Sequence, residues 1–224
     1  MKKFLTIAAI AAATLTACSE SDSDLIGRNP SLVDTYWEYD APVCEFEYSA
    51  DSIVITMGMQ GEKMSFAPED IVALYNSFAG EKMEAYMRYF HFVNNNTMNV
   101  GYIKDGEDGQ IAIPYSQVDK YLSVDLKVVN PNIPAISANY TIINEGDKRY
   151  MEIYFEKIFI TMMAQQMLPT MLPSVMPNII PNYSTLPEIA QQAIIASFTT
   201  QINQILTNTE TLKVGLRVIE SEIK

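Results

Sequence analysis

The longest regularity along this 224-residue chain is an alternation of apolar and polar positions with a period of two, running from residue 89 to residue 155. Phe90 and Phe92 alternate with Tyr89, His91 and Val93. After Asn94-Asn-Asn96 come Met98, Val100 and Tyr102, and after Asp105-Gly-Glu-Asp-Gly109 come Ile111, Ile113 and Tyr115. Leu122, Val124, Leu126 and Val128 predict a further strand over 121–128. A loop at Asn130-Pro-Asn-Ile-Pro134 then leads to Ala138, Tyr140 and Ile142, and a turn at Glu145-Gly-Asp-Lys148 to Met151, Ile153 and Phe155. Successive side chains of a strand point to opposite faces, so these runs read as antiparallel hairpins with one buried face. The same period returns at Leu212, Val214, Leu216 and Val218, which predicts a last strand.

Two strands precede this meander. Leu32 to Tyr48 carries the single tryptophan, Trp37, and Ser52–Met57 places Ile53, Ile55 and Met57 on one side, giving a first hairpin. Pro68 then opens a helix with Glu69 and Asp70 in its first turn, where acids complement the helix dipole. Its apolar face reads Ile71, Leu74, Tyr75 and Phe78, Gly80 ends it, and Met83 and Met87 mark a second helical turn. The prediction is therefore mainly β with α insertions (α+β), in which eight or nine antiparallel strands close or nearly close into a barrel and a helical pair follows the first hairpin. The last strand must rejoin the sheet, which makes residues 158–209 an insertion before closure.

That insertion has an unusual composition. Charged residues form 19% of the protein, yet Glu188 is the only one among these 52 residues. Ile158, Phe159, Met162, Met163 and Met167 fit one face of a helix leading out of the preceding strand. Proline then stands at every fourth position, Pro169, Pro173, Pro177 and Pro181. Interior prolines remove donors and clash one turn back, so linked turns and short extended pieces are expected, presenting Met171 and Leu172, Val175 and Met176, and Ile179 and Ile180. Thr185-Leu-Pro-Glu188 has the form of a capping box. The helix it would start aligns Ala190, Ile194, Phe198, Ile202, Ile205 and Leu206 on one face, and is expected to lie across the barrel mouth or outer wall. Trp37, Met162, Met163, Met167, Met171, Leu172, Val175, Met176, Ile179, Ile180 and Phe198 are the candidate ligand or partner surface.

The N-terminus changes where this fold is expected to work. Met1-Lys-Lys precedes an uncharged run from Phe4 to Ala17, too short to span a ~30 Å hydrocarbon core as a helix, so residues 1–17 read as a signal peptide. Leu15-Thr16-Ala17-Cys18 resembles the bacterial lipobox, which implies a diacylated Cys18 as the mature N-terminus. The acidic run Ser19-Glu-Ser-Asp-Ser-Asp24 makes 18–31 a solvated tether and leaves 32–224 as a single domain. An acidic run at that place resembles the export signal of lipoproteins on the outer face of the outer membrane; a periplasm-facing anchor is the alternative.

Charge and chemistry narrow the function classes. Without Lys2 and Lys3 the chain has 13 basic against 27 acidic residues, a net charge of −14, and no cluster of Lys or Arg to meet nucleic acid. Cys44 is the only thiol besides Cys18, so no internal disulfide is expected. His91 is the only histidine and stands mid-strand without a nucleophile motif, and no His/Cys ligand set or cofactor fingerprint is present. Asp105, Glu107 and Asp108 could hold calcium, but their Asp-Gly steps favour a hairpin turn. The expectation is a non-enzymatic protein without metal or cofactor.

Tyr36-Trp-Glu-Tyr-Asp-Ala-Pro-Val-Cys-Glu-Phe-Glu-Tyr-Ser49 resembles the opening of the lipocalin-like lipoprotein families of Bacteroidetes, and Met151-Glu-Ile-Tyr-Phe-Glu-Lys-Ile-Phe159 is similar to their last strand running into a helix. The resemblance covers about residues 32–160 and implies a lipocalin-like or calycin-like barrel. Two functions follow as expectations. One is a lipid-anchored envelope protein holding a small apolar or amphipathic ligand in the barrel beneath the insertion. The other is an envelope assembly protein that docks a protein partner through it.

Overall fold

A computed structural model of the chain describes residues 31–57, 62–131, 135–180 and 182–223. The signal peptide, Cys18 and the tether as far as residue 30 lie outside the described residues. The strands are β1 (Thr35–Tyr48), β2 (Ile53–Met57), β3 (Glu62–Phe66), β4 (Met87–Phe92), β5 (Thr97–Lys104), β6 (Glu107–Val118), β7 (Tyr121–Val124), β8 (Ile136–Glu145), β9 (Lys148–Glu156) and β10 (Thr209–Ser221). Three helices accompany them, α1 (Pro68–Tyr86), α2 (Lys157–Ile179) and α3 (Glu188–Asn208). Eight strands close into an antiparallel barrel in the order β1-β10-β9-β8-β7-β6-β5-β4, while β2 and β3 form a separate two-stranded sheet. Within the span read as one domain, the chain folds as two compact units. One holds the described residues up to Val43, Tyr75–Phe155 and those from Val214 on; the other holds Cys44–Leu74 and Glu156–Lys213.

The barrel unit uses the period-two pattern directly. Trp37 lies opposite Phe90, and Thr35 opposite Phe92, so the apolar members of β1 and β4 share the inner face. Trp37, Phe92, Tyr140, Met151 and Val218 are 0% exposed, and the ring of Phe92 meets Tyr115 edge-on at 4.9 Å between centroids. Asp105 and Gly106 both take positive φ, 55° and 86°, so the acidic stretch holds a two-residue turn between Lys104 and Glu107. At Gly215 of β10 an added Cβ would stand 2.1 Å from the carbonyl oxygen of Ile153, so only glycine lets β10 run this close to β9. Arg217 of β10 reaches Asp40 of β1 at 2.6 Å and lies over the Tyr150 ring at 4.7 Å.

The helical unit is built on an antiparallel pair. A short turn at Tyr183–Thr185 connects α2 to α3, and Leu172, Met176, Tyr183, Ile194 and Phe198 form the core between them, with Ile55 of β2 packed alongside. The Gln201 side chain satisfies both backbone groups of Thr56, accepting from its N–H at 2.6 Å and donating to its carbonyl at 3.2 Å. It thus takes the place of a neighbouring strand on the edge of β2. Lys157, at the start of α2, donates to the carbonyls of Thr207 and Thr209 at the end of α3, where a cation opposes the dipole's negative pole.

Five expectations are corrected. The first hairpin is β2 with β3, not β1 with β2. The helical pair after it is one 19-residue helix, α1, which runs through Gly80; Leu74 and Phe78 are 66% and 57% exposed, and Tyr75, Ala79, Met83 and Tyr86 form the packed stripe. The strand over 121–128 stops at Val124, because the Asp125 carboxylate accepts from the Lys127 N–H and closes a turn.

The fourth correction is the largest. Pro169, Pro173 and Pro177 lie inside the 23-residue helix α2. Their spacing of four sets them on one exposed face, so the carbonyls they deprive of a donor, those of Gln165, Pro169 and Pro173, fall on exposed residues where water can serve them. Thr170 and Ser174 add hydroxyl donors to the carbonyls of Met167 and Met171 at 2.9 and 2.8 Å. Fifth, the capping box does not form. Leu186 precedes Pro187 and is held extended (φ −72°, ψ 149°), so the helix begins only at Glu188, and Thr185 bonds instead to the Asn182 carbonyl at 2.8 Å.

Candidate functional site

Three places could carry a binding function. The first is the barrel interior. Eight strands leave room for side chains or for one small ligand. Here, among the described residues, side chains occupy it: Trp37 donates its indole N–H to Thr35 Oγ1 at 2.7 Å and lies under the guanidinium of Arg149 at 5.4 Å. Tyr140 accepts from Gln117 at 2.5 Å. One polar atom inside this packing has no hydrogen-bond partner, the buried hydroxyl of Tyr39. Burial raises the pKa of Tyr39, with the charges of Glu84 and Asp40 adding to the effect, so the phenol stays protonated.

The second place is a cleft of about 360 Å3 between the start of β1 (Asp34, Thr35, Tyr36), the β8–β9 turn (Asp147, Lys148, Arg149) and the end of β10 (Glu220, Ser221, Glu222). Arg149 Nη1 bonds both carboxylate oxygens of Glu220 at 2.9 and 3.0 Å. No local pattern in the sequence marks this cleft, because its walls come from three segments that only the closed sheet brings together. His91 stands on the outer face near the ring of Tyr36 at 5.9 Å, and Tyr36 stacks on Tyr89 at 4.7 Å, an aromatic packing arrangement. Among the described residues no group of three or more His, Cys, Asp or Glu side chains is gathered to hold a metal ion.

The third place is the helical hairpin, which holds every candidate surface residue but Trp37. Met163, Leu172, Met176 and Phe198 are buried, and the last three belong to the core between the helices. Met162, Met167, Met171 and Ile180 are half-buried. Val175 and Ile179, one turn apart near the end of α2, are 37% and 40% exposed. Two exposed residues were missed as candidates: Ile189, 83% exposed in the first turn of α3, and Ile158, 76% exposed at the start of α2. Ile189 could have been found, since it sits about 100° around the helix from Ala190 and off the Ala190–Ile194–Phe198 stripe. Cys44 is half-buried, and burial, reinforced by Glu45, raises its pKa and lowers the thiolate fraction. No helix among the described residues is long and apolar enough to cross a membrane. Comparison of the chain with protein-family models, with characterised proteins and with solved structures gives no match.

Proposed function

We propose that this protein is a lipid-anchored envelope interaction protein, held at the outer membrane through Cys18, in which the barrel is a scaffold and the α2–α3 hairpin is the surface that docks another envelope component. One contrast supports this reading. The barrel interior is occupied by its own side chains, whereas the hairpin leaves Val175, Ile179 and Ile189 exposed within residues 158–209, where Glu188 is the only charge. Exposed apolar surface of this kind marks sites of association. The test is a photo-crosslinking residue placed at Ile189 in the full-length protein in its own envelope. An adduct with an envelope component supports docking; a residue that reacts only with water sinks the proposal. Deleting 169–184 is a poor test, because it removes Leu172, Met176 and Tyr183 from the hairpin core.

A small apolar ligand in the barrel is the second reading, and the unpaired Tyr39 hydroxyl favours it, since a ligand oxygen would satisfy that group. Native mass spectrometry of the purified protein decides it. Mass added by a bound lipid, lost on Tyr39→Phe, would support the ligand; the mass of the bare chain in repeated preparations would rule it out.

A further inference from the structure

We infer that the turn end of the α2–α3 hairpin seats in the headgroup region of a lipid bilayer; this rests on the reading of the hairpin as the docking surface and names what it docks on. Val175 and Ile179 lie in the last two turns of α2 and Ile189 in the first turn of α3, so three of the hairpin's four exposed aliphatic residues gather at the end where the helices are joined, and only Ile158 lies at the other end. Their exposed neighbours Pro173, Pro177, Asn178 and Pro187 are uncharged, and Glu188 is the one carboxylate. Without residues 1–17 the chain has a net charge of −14 and is repelled by anionic headgroups, and a nearly charge-free tip is the part of it that can approach a bilayer without that penalty. The chain outside the structure argues for the same occupant. From Cys18 to Ser31 there are 13 residue-to-residue steps, a reach of at most about 45 Å, so an acylated Cys18 holds the fold beside a membrane. A tip so held meets the bilayer at high effective concentration, and weak insertion suffices because stable attachment to membranes generally takes two signals. The depth is limited. The prolines leave the carbonyls of Gln165, Pro169 and Pro173 needing water, which stops the helix short of the hydrocarbon core.

The experiment uses the unacylated mature chain, residues 19–224, floated with phosphatidylcholine vesicles at millimolar accessible lipid, the effective concentration that a short tether imposes. The wild-type chain should float, Ile179→Asp with Ile189→Asp should float at least tenfold less, and Leu74→Asp, which replaces an exposed apolar residue of α1, should float like wild type. Replacing a third of the lipid by phosphatidylglycerol should weaken flotation. Tryptophan fluorescence of each variant, reporting Trp37 in the barrel core, and far-UV circular dichroism, reporting the helices, verify folding. No flotation of the wild type, or equal flotation of the folded double variant, overturns the inference. The crosslinker at Ile189 separates the two levels: an adduct with lipid supports both, an adduct with a protein alone overturns lipid seating and leaves docking standing, and no adduct removes both.

Discussion

The barrel core and the hairpin core enclose their side chains to different degrees. Six buried residues of the barrel core, Leu32, Trp37, Phe92, Tyr140, Met151 and Val218, keep no exposed surface and the others keep 2% to 9%, whereas no residue of the hairpin core is fully enclosed: Met176 keeps 1% and Leu172, Tyr183, Ile194 and Phe198 keep 4% to 8%. The difference follows from geometry. A closed sheet has no edge and surrounds its inner face on all sides, so an alternating sequence is enough to hide every second residue. Two packed helices enclose only the stripe between them, and whatever apolar residues the sequence places off that stripe stay in contact with solvent. The barrel thus converts its apolar content into stability, and the hairpin converts part of its own into surface.

Truncation at the centre of each core should therefore cost unequal amounts. Trp37→Ala removes a fully enclosed ring, the N–H bond to Thr35 and the stacking partner of Arg149, and is expected to destabilise by about 4–5 kcal/mol. Urea unfolding followed by far-UV circular dichroism measures it. Phe198→Ala opens a core that can collapse from its exposed side, and the expected loss is about 3 kcal/mol. Equal losses would show that the hairpin core is as closed as the barrel.

Much of the barrel could be read from the sequence because the information is local. Alternation in β4, β5, β6, β8, β9 and β10 names the inner face residue by residue, and the Asp-Gly and Glu-Gly turns fix where hairpins reverse. The errors lie where one side chain or one φ angle overrides the pattern. Asp125 bonds its own downstream backbone and ends β7 while the alternation continues through Leu126 and Val128. Each proline of α2 reads by itself as a helix breaker, although their mutual spacing of four, which gathers the lost bonds on one exposed face, is visible in the sequence. The cleft at Arg149 and the close approach at Gly215 were not legible, because both depend on residues more than 60 positions apart meeting after closure.

The prolines give a prediction of opposite sign, and one that distinguishes a tolerated helix from an optimised one. Pro173→Ala restores an N–H that can bond the carbonyl of Pro169 and removes the ring clash, a gain of up to ~3 kcal/mol in a helix interior. The unfolded chain regains freedom that proline had restricted, which offsets about 1 kcal/mol. The variant should be about 1–2 kcal/mol more stable, with higher helical ellipticity. Pro114 of the barrel offers a contrast, since it stands exposed in β6 opposite Thr97 without breaking the alternation. A loss of stability at Pro173→Ala would mean that the exposed proline face is itself held against something.

Thr185→Ala carries the smallest expected effect and tests how the second helix of the hairpin starts. In a capping box the threonine hydroxyl would hold a backbone N–H of the first turn, and its removal would cost about 1 kcal/mol. Here Pro187 keeps Leu186 extended and out of the helix, the helix opens at Glu188, and that carboxylate accepts from Gln192 at 3.1 Å within the first turn. The Thr185 hydroxyl gives up only an exposed bond to the Asn182 carbonyl, so the change should stay within about 0.5 kcal/mol. Glu188→Gln should lower stability by a comparable amount at low salt and by less at high salt, because its contribution is the interaction of a carboxylate with the helix N-terminus. A cost near 1 kcal/mol at Thr185 would place the start of α3 two residues earlier. The exposed Ile189 would then sit in the helix interior and not in its first turn.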